Sequence, residues 1–303
     1  MAICILSISC ANASGGDIFT AGEAVALGIT QGATEFLPIS STGHLILVDK
    51  FLLNHRLEEF GDGEDVAASA LRARGKSSYF CIIQCGSILA VLLLYRNRFL
   101  QMALSVLGKD CRGRKLAINL IVSFLPAALV GLAADGWIQK KLYGEIAISM
   151  ALLIGSAIML LAEMAHNKKS EANFVSIEDL TARKSFAIGC WQCLALIPGM
   201  SRSMATIVGG YGCGLRRSDA VEYSFLLGAL TLAATVMYKC ARDFDAIFLC
   251  LGAGTFFMGI AIAFAVSAAT IKIFTAFVAR HGTYVFAAYR IVLAIAILCN
   301  ALA

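Results

Sequence analysis

Between Gln31 and His44 the chain reads Gln-Gly-Ala-Thr-Glu-Phe-Leu-Pro-Ile-Ser-Ser-Thr-Gly-His. This sets a carboxylate (Glu35), three hydroxyls (Ser40, Ser41 and Thr42) and an imidazole (His44) inside an otherwise apolar stretch. An ionisable group at bilayer depth costs at least roughly 2.5–3.5 kcal/mol, so residues kept there usually mark a substrate, ion or proton site. Gln31 and Glu35 are four residues apart and share one face of a helix. Ser40, Ser41 and Thr42 precede a fresh helical run, and His44 follows Ser41 at a spacing that can bring imidazole and hydroxyl together. A second polar break reads Pro198-Gly-Met-Ser201-Arg202-Ser203-Met-Ala-Thr206. Here a Pro-Gly turn sets Arg202 beside the free N–H groups of a helix start, which together make an anion site. The hydroxyls of Ser201, Ser203 and Thr206 can add donors. Taken singly, the serines would serve as helix caps and His44 as a core histidine. Jointly the two breaks supply a nucleophile or water, a base and an anion clamp. Ser41, His44 and water all stand as candidate nucleophiles.

Membrane helices must position these groups. Of 303 residues, 59% are hydrophobic and 15% charged, with mean hydropathy +0.79, against about 45–50% apolar and 25% charged in soluble domains. Three prolines and long apolar runs suit helices better than alternating barrel strands. The fold class expected is an all-α polytopic membrane protein. Candidate spans lie at about 79–95, 116–134, 146–165, 223–238, 246–271 and 285–302. The regions 23–48 and 186–214 are apolar but interrupted midway. They read as re-entrant helical hairpins, because broken backbone at membrane depth survives only where protein or a wet cavity surrounds it.

The order is then one hairpin and three spans, twice. An odd number of spans inverts the second half, so 23–165 and 186–302 are expected to be inverted repeats within a single membrane domain, 1–303. Such folds place their site near the midplane, where broken helices meet. Gly28-x-x-x-Gly32 and Gly210-x-x-x-Gly214 offer close helix approach. Loops 96–115, 166–184, 215–222 and 272–284 carry fourteen Lys and Arg, against nine in 50–76, 135–145 and 239–245. The first set is therefore expected inside, with both termini outside.

The net charge of +5 is spread over short loops and carries no nucleic-acid motif, so membrane lipids are the expected surface partner. Eleven cysteines lie mostly in apolar segments and read as small hydrophobes; Cys190-Trp-Gln-Cys193 has redox spacing without a βαβ context. The run Ile3–Ser9 has no preceding basic residue and reads as a leader to the first membrane segment rather than a cleaved signal. The acidic stretch 57–76 reads as a solvated loop.

These two motifs resemble those of the undecaprenyl-pyrophosphate phosphatase family, the bacitracin-resistance type of bacterial membrane enzyme. The resemblance is carried by Gln31-x-x-x-Glu35-Phe-Leu-Pro-x-Ser-Ser-Thr-Gly-His44 and by Gln192-Cys-Leu-Ala-Leu-Ile-Pro-Gly-x-Ser-Arg-Ser203 with Ala205-Thr206. Weaker likenesses are Glu222-Tyr-Ser-Phe-Leu-Leu227 and Tyr289-Arg290. It implies hydrolysis of undecaprenyl diphosphate to the monophosphate and inorganic phosphate, which recycles the lipid carrier for cell-wall synthesis. It also implies six spans with two re-entrant hairpins, a homodimer, a divalent cation (Mg²⁺ or Ca²⁺), and a site at the outer face of the bacterial cytoplasmic membrane. By the same resemblance Glu35 is the essential carboxylate and possible metal ligand, Gln31 its partner, Ser41 and His44 the reactive pair, and Arg202 the diphosphate clamp. Two positions depart from the family pattern: Gln31 stands where some members have Glu, and Met204 where Gly is usual. A phosphatidic-acid-type phosphatase would need a second histidine soon after Arg202, whereas the next is His281. A carrier or flippase for lipid phosphate or another anion is the alternative of a different class.

Overall fold

A computed structural model of the chain describes residues 19–48, 66–106, 108, 111–142, 144–170, 174–243 and 253–302. The leader expected at Ile3–Ser9 and most of the acidic loop, 57–65, lie outside the described residues. Regular structure among the described residues is helical, apart from one isolated bridge between Val175 and Leu215.

The helices are α1 (Ala21–Thr34), α2 (Ser41–Leu47), α3 (Val66–Ile82), α4 (Gln84–Leu94), α5 (Arg96–Val106) and α6 (Cys111–Lys141). They continue as α7 (Glu145–Asn167), α8 (Ala182–Gln192), α9 (Arg202–Gly212), α10 (Arg217–Arg242), α11 (Ala253–His281) and α12 (Tyr284–Leu302). Five stretches are long and apolar enough to cross a membrane: Arg74–Leu94, Arg112–Ala134, Glu145–Asn167, Arg217–Arg242 and Gly254–His281. Tyr284–Cys299 in α12 is apolar but shorter. Several helices outlast the apolar runs from which they were expected: α6 continues to Lys141, and α11 runs past Lys272 to His281. Extending a helix adds a hydrogen bond for each residue fixed, so charged residues are carried along once a span is nucleated. The same holds for 66–76, expected as loop and found in α3, and for Arg96–Val106, which forms α5. Leu129, Leu161, Met237, Phe257, Ile273 and Val292 point outward, as helices facing lipid require.

The two interrupted segments each form a broken helical pair. Pro38 stops the first after α1, and Pro198-Gly199 stops the second after the 3₁₀ turn Cys193–Leu196, since proline lacks the N–H and disfavours helix in the residue before it. The helix that follows each break starts on a serine with positive φ: Ser40 at 73° and Ser201 at 75°. They are the only such non-glycine residues among those described, and such backbone costs on the order of 1–3 kcal/mol and clusters at functional sites. Ser40 Oγ accepts from the Gly43 N–H and Ser201 Oγ from the Met204 N–H, each at 3.4 Å, which caps α2 and α9.

The pairs echo one another in detail. Thr20 caps α1 and Thr181 caps α8. Thr20 and Thr181, Gly28 and Gly189, Gln31 and Gln192, and Ser40 and Ser201 all stand at one constant separation in the chain. α1 packs mainly on α11, and α8 on α6. A Cβ on Gly28 would lie 2.8 Å from the Gly259 carbonyl, and one on Gly189 2.4 Å from that of Ser123, so each contact depends on glycine. The core cluster around Phe36, Tyr223, Phe225 and Phe274 fixes the tips of both pairs against α10 and α11.

Candidate active site

Glu35 sits in the turn after α1 and is buried. Its Oε2 accepts from Gln31 Nε2 at 2.9 Å and from Ser41 Oγ at 2.7 Å. Its Oε1 accepts from Arg202 Nη2 at 3.1 Å, an ion pair that joins the tips of the two broken pairs. The first break therefore presents a carboxylate with a hydroxyl already hydrogen-bonded to it, and the second a guanidinium at the first turn of α9. Both side chains are mostly withdrawn from solvent, where their mutual attraction is less screened than at an exposed surface and breaking the pair leaves a buried charge uncompensated.

Arg202 is held from three sides. Its Nη1 donates to the Ser224 carbonyl at 3.1 Å, and its guanidinium lies 5.8 Å from the centre of the Phe36 ring. Gly228, one turn further along α10, makes room: a Cβ there would lie 2.2 Å from Nη1. Thr206 Oγ1 shares a hydrogen bond of 2.7 Å with Ser224 Oγ. Thr206 thus braces α9 against the α10 residue that receives Arg202.

These groups stand at the polar end of a cavity of about 560 Å³. Glu35, Ser40, Ser41, Thr42, Ser201 and Arg202 line that end, while Phe124, Ala127, Leu132, Leu196 and Leu232 line the apolar remainder. Gln31, Ser203 and Thr206 are buried behind the wall. The structure thus gathers six of the expected residues around one space and sets three as supports, with Ser203 Oγ unpartnered among the described residues.

His44 departs from expectation. Its Nδ1 lies 2.7 Å from the Ser40 carbonyl and its Nε2 2.7 Å from the Tyr289 hydroxyl, and its ring stacks on Tyr289 at 5.7 Å and 10°. The Ser41–His44 pairing expected from their spacing is replaced by Ser41–Glu35 and His44–Tyr289. The reason is geometric: the sharp turn at Ser40 directs the first residue of α2 back toward Glu35, and His44, nearly a full turn later, toward α12.

Arg290, the neighbour of Tyr289, is 0% exposed. Its Nη1 donates to the Pro38 carbonyl at 3.0 Å and the Met200 carbonyl at 3.1 Å. Its Nη2 donates to the Ala151, Leu152 and Gly199 carbonyls, and its Nε to Ser156 Oγ, each at 3.3 Å. One guanidinium therefore grips both breaks and α7. In the sequence it shows as a charge in an apolar stretch and in the weak Tyr289-Arg290 likeness, with no role attached; its backbone acceptors leave no side-chain signal. Ser224, within the Glu222–Leu227 likeness, also borders the site, as do Gln84 and Thr231, which carry no motif of their own.

Fold and site together define a helical membrane protein whose polar centre is assembled from two interrupted helices and opens into an apolar cavity. Comparison with known proteins agrees. The profile of the family described as bacitracin resistance protein BacA matches residues 24–296. A protein of Methylobacillus flagellatus named undecaprenyl-diphosphatase is 38% identical over 284 residues, 93% of this chain and 98% of its own length. Undecaprenyl-diphosphatases of Ectopseudomonas mendocina and Sorangium cellulosum are 37% and 36% identical, covering 94% and 89% of this chain and 95% and 83% of theirs. The chain belongs to the BacA family and is an integral, multi-pass membrane protein.

Proposed function

We propose that the chain hydrolyses undecaprenyl diphosphate to undecaprenyl phosphate and inorganic phosphate, recycling the lipid carrier for cell-wall synthesis. The observation that carries this is the meeting of Glu35, Ser41 and Arg202 at the mouth of an apolar cavity. A diphosphate on an isoprenyl chain needs an anion clamp, a nucleophile with a base, and an apolar groove side by side. Relatives across the whole chain bear the name of that activity.

In the proposed mechanism the distal phosphoryl group displaces Glu35 from Arg202 and takes the guanidinium, with the first-turn N–H groups of α9 beside it. Freed from its ion pair, Glu35 is the base for the Ser41 hydroxyl. Ser41 Oγ bonds to the distal phosphorus while the bridging P–O bond breaks, and the lipid monophosphate departs with that electron pair. Glu35 passes the Ser41 proton to the departing monophosphate and, ionised again, deprotonates a water that attacks the phosphoserine; the Ser41 O–P bond breaks, inorganic phosphate leaves, and Glu35 returns the proton to Ser41 Oγ. His44 holds the Ser40 turn against α12, a positioning role rather than a nucleophilic one.

The residues present also fit a divalent cation, Mg²⁺ or Ca²⁺. Gln31 Oε1 is buried without a partner among the described residues, on the amide whose Nε2 donates to the Glu35 carboxylate, which also accepts from the Ser41 hydroxyl. All three are the hard oxygen donors such ions take, with diphosphate oxygens and water completing the shell. Among the described residues no three acidic, histidine or cysteine side chains cluster, so Gln31 and Glu35 would hold the ion mainly together with the substrate. When bound, it neutralises charge on the diphosphate.

The matched spacing of the two broken pairs supports reading them as re-entrant hairpins of an inverted repeat, with α12 as a sixth span. The family resemblance extends this reading to a site on the outer side of the bacterial cytoplasmic membrane and to a homodimer. Purified protein in detergent micelles, where no compartments exist, is expected to release phosphate from undecaprenyl diphosphate, and Glu35→Gln to abolish release while staying folded. A carrier would release none.

A further inference from the structure

Gln192 is the counterpart of Gln31 at the end of the other leading arm, and its side chain is 1% exposed. Each amide is half satisfied, in opposite senses. Gln31 donates to Glu35 and leaves its Oε1 unpartnered; Gln192 Oε1 lies 3.4 Å from Thr231 Oγ1, whose one hydrogen is shared with the Leu227 carbonyl at 2.8 Å, and Gln192 Nε2 is unpartnered among the described residues. A buried donor without an acceptor is costly, roughly 1–3 kcal/mol, so it is kept where an acceptor arrives. Rotation of the amide does not change this. Reversed, Nε2 would use one hydrogen on Thr231 and still keep the other.

The position says what that acceptor is. Ser224, Gly228, Thr231 and Thr235 follow one face of α10. The first two receive Arg202; the last two line the cavity one and two turns further along, about 5.4 Å per turn. Gln192 lines the cavity beside Thr231, with the apolar walls of Leu196 and Leu232 beyond. A diphosphate ester whose distal phosphoryl group lies at Arg202 and whose tail follows those walls must run its proximal phosphate past Gln192.

Resting on the diphosphatase reading above, we infer that Gln192, anchored by Thr231, is the binding residue for the proximal, lipid-attached phosphate. The Nε2 hydrogens donate to its non-bridging oxygens in the substrate and in the departing monophosphate. Arg202 thus takes the group that is cleaved and Gln192 the group that stays on the lipid.

The test compares two product inhibitors of micellar phosphate release: undecaprenyl phosphate, which carries the proximal phosphate, and orthophosphate, which fills the distal site. Gln192→Met keeps the side chain's length and removes the amide. It is expected to raise Ki for undecaprenyl phosphate about tenfold, the loss of one hydrogen bond to a charged group, and to leave Ki for orthophosphate unchanged. Gln192→Glu faces an anion with an acid; it is expected to raise the same Ki further at neutral pH and serves alone if the methionine variant does not fold. Equal shifts in both constants, as a general loosening of the site would give, or no shift in either, overturn the assignment of Gln192. A wild-type protein that releases no phosphate overturns the diphosphatase reading, and the inference falls with it.

Discussion

Removing Arg290 is the sharpest perturbation of the site that leaves the Glu35, Ser41 and Arg202 side chains themselves untouched. Its guanidinium holds three carbonyls that belong to the breaks and stand outside the helical ladders, those of Pro38, Gly199 and Met200. Arg290→Met strands all three. At roughly 1–3 kcal/mol for each unsatisfied buried carbonyl, the gross cost is several kcal/mol, partly offset because a buried charge is removed as well. A net of about 3–5 kcal/mol matches the range for breaking buried charged interactions. Arg290→Lys fares little better, since a compact ammonium on a shorter stem does not reach carbonyls on both breaks. Pro38 and Met200 each lie two residues from a group that acts, Ser40 with Ser41 on one side and Arg202 on the other. A shift of about 1 Å between the tips costs on the order of 10²-fold in rate. The assay is phosphate release in micelles alongside thermal unfolding of the same preparation. Both kcat and the unfolding midpoint are expected to fall for Arg290→Met. A monodisperse variant with wild-type kcat and midpoint would refute the idea that this side chain sets the spacing of the tips.

Four further outcomes are expected. Gly228→Ala drives a methyl into the Arg202 guanidinium and pulls it off the Ser224 carbonyl; KM for the diphosphate rises, measured in the same assay. His44→Asn and Tyr289→Phe each remove one side of a 2.7 Å hydrogen bond worth about 1 kcal/mol, and a double-mutant cycle on rate shows their losses to be non-additive; a histidine nucleophile would instead make His44→Asn inactive whatever stands at 289. Chelation lowers activity and added Mg²⁺ or Ca²⁺ restores it, with Gln31→Glu lowering the cation concentration needed and Gln31→Leu raising it. Burial raises the Glu178 carboxyl's pKa, but its hydrogen bond and ion pair with Arg98 at 2.8 Å outweigh that and hold it below the ordinary value. The pair's contribution is present at neutral pH and is lost as pH falls through the folded pKa, so the midpoint gap between wild type and Glu178→Gln closes on acidification below about pH 4.5.

Much of the scaffold was legible because membrane helices are written in long apolar runs. The breaks were legible because Pro38 and Pro198-Gly199 have few other uses there. Glu35 and Arg202 stood out as charges where charge is expensive. What the sequence hid were relations across the breaks. No helical or strand period covers the six-residue separation of Glu35 and Ser41, yet their side chains meet, because the positive φ of Ser40 turns α2 back. The contact of His44 was hidden for the same reason: its side-chain partner is 245 residues away, and helical spacing alone favours Ser41. Arg290 was visible as a charge but not as a clamp, since its acceptors are nearly all backbone carbonyls. Gln192 was visible as part of a motif, but its half-satisfied amide is a property of packing.

The matched breaks explain how one architecture yields two different chemical groups at one point. Each delivers a strained, serine-capped helix start to the same space, so the residue after the cap is aimed inward in both: Ser41 in one and Arg202 in the other. The aligned positions then diverge. Glu35 corresponds to Leu196 and His44 to Ala205, so the first break holds the base and its brace to α12, while the second keeps an apolar wall and the anion clamp. Two carboxylates at matched positions would repel the diphosphate, and two arginines would leave the serine without a base. Exchanging Leu196 for Glu is therefore expected to weaken substrate binding rather than add a second base. The carboxylate would stand in the apolar wall of the cavity, along the path of the lipid diphosphate, and repel it, seen as a rise in KM that high salt does little to relieve because the site is withdrawn from solvent. A Leu196→Glu protein with wild-type KM would mean that the asymmetry between the two breaks is incidental to the chemistry.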